Sequence, residues 1–286
     1  RCLVFSRCCF RPAAPTPSLP DVSQAPVRSP LLALAGMDAD RVRIEDAMRA
    51  AVVTSDPYLT EIASHLILAG GKRLRPALAV AAGQIGGGNA SDDVVQGGVA
   101  CELVHLGSLY HDDVMDEAET RRGVETVNAK WGNLQAILAG DFLLSRASEI
   151  AASLGTEVAG LLARTIGWLC EGQIEELRHT YDVGRTEASY LASIHGKTAS
   201  LYGTAARIGG IAAGHDRPLI DALTARYADP QQKDRTALNQ AYAAAMRAVW
   251  ARFPKDADVG ALFAESLANL RPWDLWLPDG RPQPGT

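Results

Sequence analysis

No apolar run in this chain reaches the roughly 18 residues that a membrane-spanning helix needs, so no such helix is expected. Alternating apolar and polar runs, the mark of half-buried strands, are nearly missing too, which argues against a β-rich fold. Cysteine is sparse. Of the five cysteines, Cys2, Cys8 and Cys9 lie near the N-terminus, while Cys101 and Cys170 sit in apolar helical contexts where buried free thiols are expected. No disulfide framework is implied, and a reducing, cytoplasmic compartment is the simpler expectation. An excess of positive charge is also lacking. The net charge of -5 argues against non-specific nucleic-acid binding, so a site for an anionic ligand must be a local basic patch.

What is present is an ordinary globular composition. The 286 residues, 47% hydrophobic and 21% charged, are enough for one large domain or two smaller ones. Residues 1–28 are proline-rich, have no Met, and carry only the short apolar patch Leu3 to Phe5. They are poor as a secretory signal and read as a disordered tail or as sequence upstream of the true start, for which Met37 is a candidate.

From about Asp38 to Leu223 the chain reads as helix after helix, rich in Ala, Leu and Glu, with glycine clusters as punctuation. One helix starts near Thr54 to Asp56 and is ended by Gly70 and Gly71, with Leu59, Ile62, Leu66 and Ile67 on its apolar face. Others are expected over Leu74 to Gln84, Ser91 to Glu117, Asn133 to Ser153, Glu157 to His179, Glu187 to Gly196 and Ala199 to Ala213. Their number and length imply an all-α bundle. Residues 224–286 differ in character. Helix, Pro-containing turn and helix, Ala237 to Phe253 and Asp256 to Leu270, resemble a tetratricopeptide-like hairpin, and a last helix pair of the bundle is the simpler alternative.

Chemistry concentrates in HDDVMDEAETRR, His111 to Arg122. On a helix, Asp112 and Asp116 share one face about a turn apart, where like charges repel by a few tenths of a kcal/mol. The flanking stretches Ala100 to Tyr110 and Asn133 to Ala147 are core-like, and unpaired buried charge is expensive. A divalent cation relieves that repulsion, magnesium accepts a few carboxylates together with substrate phosphates, and Arg121 and Arg122 suit phosphate oxygens. A second basic group, GGKRLRP over Gly70 to Pro76, follows a double glycine, and its Lys72 and Arg75 are placed to enter one anion pocket.

GGKRLRP, then VHLGSLYHDDVMDEAETRRG, AGDFLL and HGKTASL, in that order, resemble the trans-type polyprenyl diphosphate synthases over residues 29–223. The resemblance implies an isoprenoid synthase-type bundle that ionises an allylic diphosphate and joins it to isopentenyl diphosphate. It implies Mg2+ held by Asp112 and Asp116, with Asp113 supporting. It places Arg121, Lys197 and Thr198 on the allylic diphosphate, and Lys72, Arg75, His105 and Arg122 on isopentenyl diphosphate. A homodimer, or pairing with another synthase subunit, is implied as well. Gln173, Glu175 and Glu176 are placed to line the same cavity, but a solvated face is the favoured reading. The small residues Gly107 and Ser108 stand where the family walls its product tunnel, which implies a product longer than farnesyl, with bulky Tyr110 nearby.

One departure matters. The family's second aspartate-rich motif has no counterpart after His215, where the acids are scattered. The pattern stops near Leu223, as in a truncated bundle joined to a helical hairpin. Ionisation by this chain alone is therefore expected to be impaired. The rival expectation is a non-catalytic subunit or helical interaction protein; a terpene cyclase is disfavoured because it needs no isopentenyl diphosphate pocket.

Overall fold

A computed structural model describes residues 30–85, 89–215, 220, 236–255, 263, 266 and 267. Helices α1 (Met37–Ala51), α2 (Pro57–Leu68), α3 (Leu74–Gly83), α4 (Asp92–Met115), α5 (Val127–Trp131), α6 (Asn133–Ser153), α7 (Thr156–Arg178), α8 (Glu187–Ile194) and α9 (Ser200–Ala212) make an all-α bundle. Its one interruption among the described residues is a two-strand ladder, β1 (Thr120–Arg121) paired antiparallel with β2 (Val124–Glu125).

Local chemistry sets the helix starts. Asp56 accepts from the Tyr58 amide at 2.9 Å with Pro57 in the first turn of α2, and Ser91 caps α4 through the Val94 amide. Thr126 and Thr186 do the same for α5 and α8. Each such cap is worth about 1 kcal/mol.

Helix α4 is apolar nearly all round its first five turns, as a helix enclosed by others must be. Val94, Val99, Leu103, Val104 and Leu106 are fully buried, and α1, α3, α6 and α9 pack around it. Burying each such side chain stabilises the fold by roughly 1.5–3 kcal/mol. Tyr110 continues this core: its hydroxyl donates to the Ile62 carbonyl of α2 at 2.8 Å. Gly107 is enclosed as well. A methyl group there would come within 2.9 Å of the Gly140 carbonyl, so this glycine lets α4 and α6 cross closely.

Helix α10 (Thr236–Arg252) covers the span expected for the first arm of the C-terminal hairpin. Its Tyr242, Met246 and Val249 bury against Ile85 beyond α3. The expected boundary near Leu223, most of the second arm, and residues 1–28 lie outside the described residues.

Candidate functional site

Three carboxylates stand at the C-terminal end of α4, the negative pole of the helix dipole, with no cation in the last turn to offset them. Asp116 is the capping residue, and its amide donates to the Asp112 carbonyl at 2.8 Å, so the four-residue spacing survives to the helix end. Asp112 is half-buried. Desolvation pushes its carboxyl above the ordinary range, reinforced by Asp116 and opposed first by Lys197.

Asp113 points elsewhere. It is buried, and its Oδ1 accepts from Arg121 Nε at 2.5 Å, while Oδ2 has no hydrogen-bond partner. Burial raises its pKa despite that pairing. Arg121 reaches back because the ladder turns at Arg122 and Gly123, both with positive φ of 54° and 80°, the backbone of a type I′ hairpin. The same turn sends Arg122 to the end of α2, where Nη1 donates to the Leu66 carbonyl at 3.3 Å and also to that of Gly70.

The GGKRLRP loop divides its cations. Arg73, at φ 50°, is buried: Nε and Nη2 donate to Glu45 at 2.7 and 3.2 Å, Nη1 to Glu102 at 3.3 Å, and Nη2 also to the Ile67 carbonyl. Arg75 pairs with no carboxylate among the described residues. Its guanidinium lies 4.4 Å from the Tyr202 ring centroid, and Nε is buried without a hydrogen-bond partner. Nearby His105 is held neutral, pushed down to about 3 by burial and then by Arg75, Arg122, Arg121 and Arg73. Arg122 is itself lowered, by desolvation first and then by Arg73. This is a cationic group short of counter-ions.

These parts meet in a cavity of about 480 Å³ between α3, α4, α7 and a π-helical turn, His195–Ala199, that joins α8 to α9. Arg75, His105, Asp112, Lys197 and Thr198 are among its polar lining residues, and Leu109, Met115, Leu169, Ile174 and Leu177 among its apolar ones. Of the other expected site residues, Asp116, Arg121 and Arg122 stand beside it and Lys72 is exposed on the loop, none of them in its lining. Ser108 lines it; Gly107 and Tyr110 do not.

Two expectations need correction. Cys170 is exposed and lines the cavity, because its position on α7 faces the opening. The stretch read as a solvated face contributes Gln173 to the lining, and Glu176 Oε2 pairs with Lys197 Nζ at 2.8 Å. Sequence reasoning also missed the Glu45–Arg73–Glu102 cluster and Tyr202. A carboxylate at Glu102 inside an otherwise apolar helix was the available signal.

Among the described residues no three His, Cys, Asp or Glu side chains converge on one point as a metal cage. Asp112 and Asp116 offer two hard oxygen donors one turn apart. That donor set fits magnesium or calcium completed by water and phosphate, not zinc.

Comparison with known proteins agrees with the motifs. The family described as Polyprenyl synthetase matches residues 56–229. A nonaprenyl diphosphate synthase of Mycobacterium tuberculosis is 39% identical over 209 residues, 69% of this chain and 62% of that protein. Component 2 of the heptaprenyl diphosphate synthase of Geobacillus stearothermophilus is 38% identical, over 64% of this chain and 58% of that one. The chain thus spans about 60% of the length of these relatives. A decaprenyl diphosphate synthase structure from Rhodobacter capsulatus superposes with a TM-score of 0.64 at 30% identity, covering 76% of this chain and 65% of that one. A polyprenyl synthase structure from Caulobacter crescentus, in complex with calcium and isoprenyl diphosphate, gives 0.63 at 32% identity, covering 77% and 63%.

Proposed function

The chain belongs to the polyprenyl synthetase family, and on that premise we propose that it binds isopentenyl diphosphate and an allylic diphosphate with magnesium and is built to condense them head to tail. The observation that carries this reading is one cavity whose lining joins Arg75, His105, Asp112, Lys197 and Thr198 with apolar residues that suit a prenyl chain.

Asp112 and Asp116 would hold the metal. Bound there, it would neutralise charge on the departing diphosphate, the electrostatic contribution that dominates such reactions. Lys197, Thr198 and Arg121 take the allylic diphosphate. Asp113 engages only Nε of Arg121 and so aims the remaining guanidinium edge. On the other side Lys72, Arg75 and Arg122 hold isopentenyl diphosphate, and Arg75 Nε, buried and without a partner among the described residues, is available to an anion. Neutral His105 adds hydrogen bonding without adding charge to the four nearby arginines. Leu109, Leu169, Ile174 and Leu177 receive the hydrocarbon and exclude water from the carbocation. Small Ser108 leaves room for a product longer than farnesyl.

Turnover by this chain alone is slow in this reading, because no aspartates three or four residues apart follow His215 to complete the metal shell. The same observation favours the second reading, a subunit that acts with another synthase chain, in keeping with the relative that is one component of a two-component enzyme. The test is incubation with radiolabelled isopentenyl diphosphate, farnesyl diphosphate and magnesium, beside a complete synthase and the Asp112→Ala variant. Weak label in polyprenol that vanishes in the variant fits the first reading. Label only when a second synthase chain is added fits the subunit reading. Product formation undiminished by Asp112→Ala contradicts both.

A further inference from the structure

The π-helical turn that carries Lys197 and Thr198 is pressed against α7 through two glycines. A methyl group on Gly172 would lie 2.6 Å from the Lys197 backbone nitrogen, 2.9 Å from the Ser193 carbonyl oxygen and 3.1 Å from the Gly196 carbonyl carbon. From the other side, a methyl on Gly196 would lie 2.9 Å from the Trp168 carbonyl and 3.2 Å from the Gly172 Cα. All of these are backbone atoms, which do not swing aside as a side-chain end does. The turn is further fixed by Ser200, whose buried hydroxyl donates to the Gly196 carbonyl at 2.6 Å.

The consequence lies one helical turn along α7. Glu176, on the same face as Gly172, meets Lys197 Nζ at 2.8 Å, and Gln173, next to the glycine, lines the cavity with Lys197 and Thr198. Gly172 itself does not line the cavity, so a methyl there takes no ligand space. It acts on the turn instead. Moving the Lys197 nitrogen out to ordinary contact at about 3.5 Å displaces the π-turn backbone by nearly 1 Å. Single π-turns inside helices are frequent at functional sites, where they re-aim side chains that a regular helix would direct elsewhere.

We propose that Gly172 is a positioning residue: its missing side chain sets the close approach of α7 to the π-turn, and thereby the reach of Lys197 and Thr198 toward the allylic diphosphate. This rests on the proposed function of the cavity. The two claims separate experimentally, because the residues assigned to isopentenyl diphosphate, Lys72, Arg75 and Arg122, are not among the atoms nearest to a methyl on Gly172.

The test measures two affinities on the full chain with magnesium, for farnesyl thiolodiphosphate and for isopentenyl diphosphate, in wild type and Gly172→Ala. Circular dichroism and thermal melts run in parallel. The expected result is an analogue affinity weaker by about tenfold or more, since misplacement near 1 Å carries losses of that order, with isopentenyl diphosphate affinity unchanged. Equal analogue affinity in wild type and variant overturns the inference, and so does an equal fall in both affinities, which marks a purely structural role. Should wild type bind neither diphosphate, the functional reading itself falls. If Gly172→Ala does not fold, Gly196→Ala, entering the same crossing from the other side, carries the comparison. Failure of both to fold assigns the glycine pair to stability and overturns the inference as well.

Discussion

Arg73 Nε lies 2.7 Å from Glu45 Oε1, and the same guanidinium reaches Glu102, so one cation of the GGKRLRP loop is spent inside the fold. Its side chain is 1% exposed and Glu102 is 3% exposed. Removing one partner of such a cluster strands the others, a change that costs about 3–5 kcal/mol. Arg73→Met is therefore expected to destabilise the chain by about 3 kcal/mol in urea or guanidinium titration. Lys72→Met, one residue earlier and exposed, should shift stability by less than about 0.5 kcal/mol while weakening isopentenyl diphosphate binding. Calorimetric titration with that ligand checks the contrast.

His105 gives a pH dependence with a defined sign. Its folded pKa is pushed down to about 3 from the ordinary 6.5, by burial first and then by the four arginines. Protons therefore bind the unfolded state preferentially between those values. The stability contributed by the neutral ring is fully present above pH 6.5 and is lost as pH falls toward 3, by up to about 1.4 kcal/mol per pH unit. Denaturant titrations of wild type and His105→Asn at pH 7.5 and pH 5 should differ, with the variant losing less on acidification. Parallel losses in both proteins would assign the acid sensitivity to other groups.

Two neighbours on α4 should separate cleanly in function. Ser108 lines the cavity, whereas Tyr110 faces α2 with its hydroxyl on the Ile62 carbonyl. Ser108→Phe is expected to weaken binding of farnesyl thiolodiphosphate at least several-fold while sparing the dimethylallyl analogue, whose hydrocarbon is shorter. Tyr110→Phe should cost about 1 kcal/mol of stability from the lost hydrogen bond and leave both affinities alone. Competition binding with the two analogues reads out both variants.

Much of the bundle was legible in the sequence because caps, glycines and 3.6-residue periodicity are local signals. Asp56, Ser91 and Thr186 begin helices close to where the apolar pattern starts, whereas the short helix that Thr126 caps was not expected. For the candidate site, the short motifs and the family resemblance they carry were enough to name Arg75, His105, Asp112, Lys197 and Thr198, which the fold brings into the lining of one cavity. What stayed hidden depends on which way a helix faces once it is packed. Gly107 reads as a tunnel residue by position, and its close approach to Gly140, which lets two helices cross, shows only in the packing. Gln173 and Glu176 look like solvated polar residues, and only the proximity of the π-turn makes one a cavity residue and the other a counter-ion. Arg73, Glu45 and Glu102 lie on three separate segments, and nothing local announces that they meet.

The central claim is that Asp112 and Asp116 bind a divalent cation through which the cavity takes an allylic diphosphate. Its most direct test is equilibrium binding of farnesyl thiolodiphosphate to the full chain, with magnesium and with magnesium chelated, for wild type and for the Asp112→Ala and Asp116→Ala variants. Binding that requires magnesium and weakens by about tenfold or more in either variant is the result predicted here. Affinity that is the same with chelator, or the same in both variants, would contradict it.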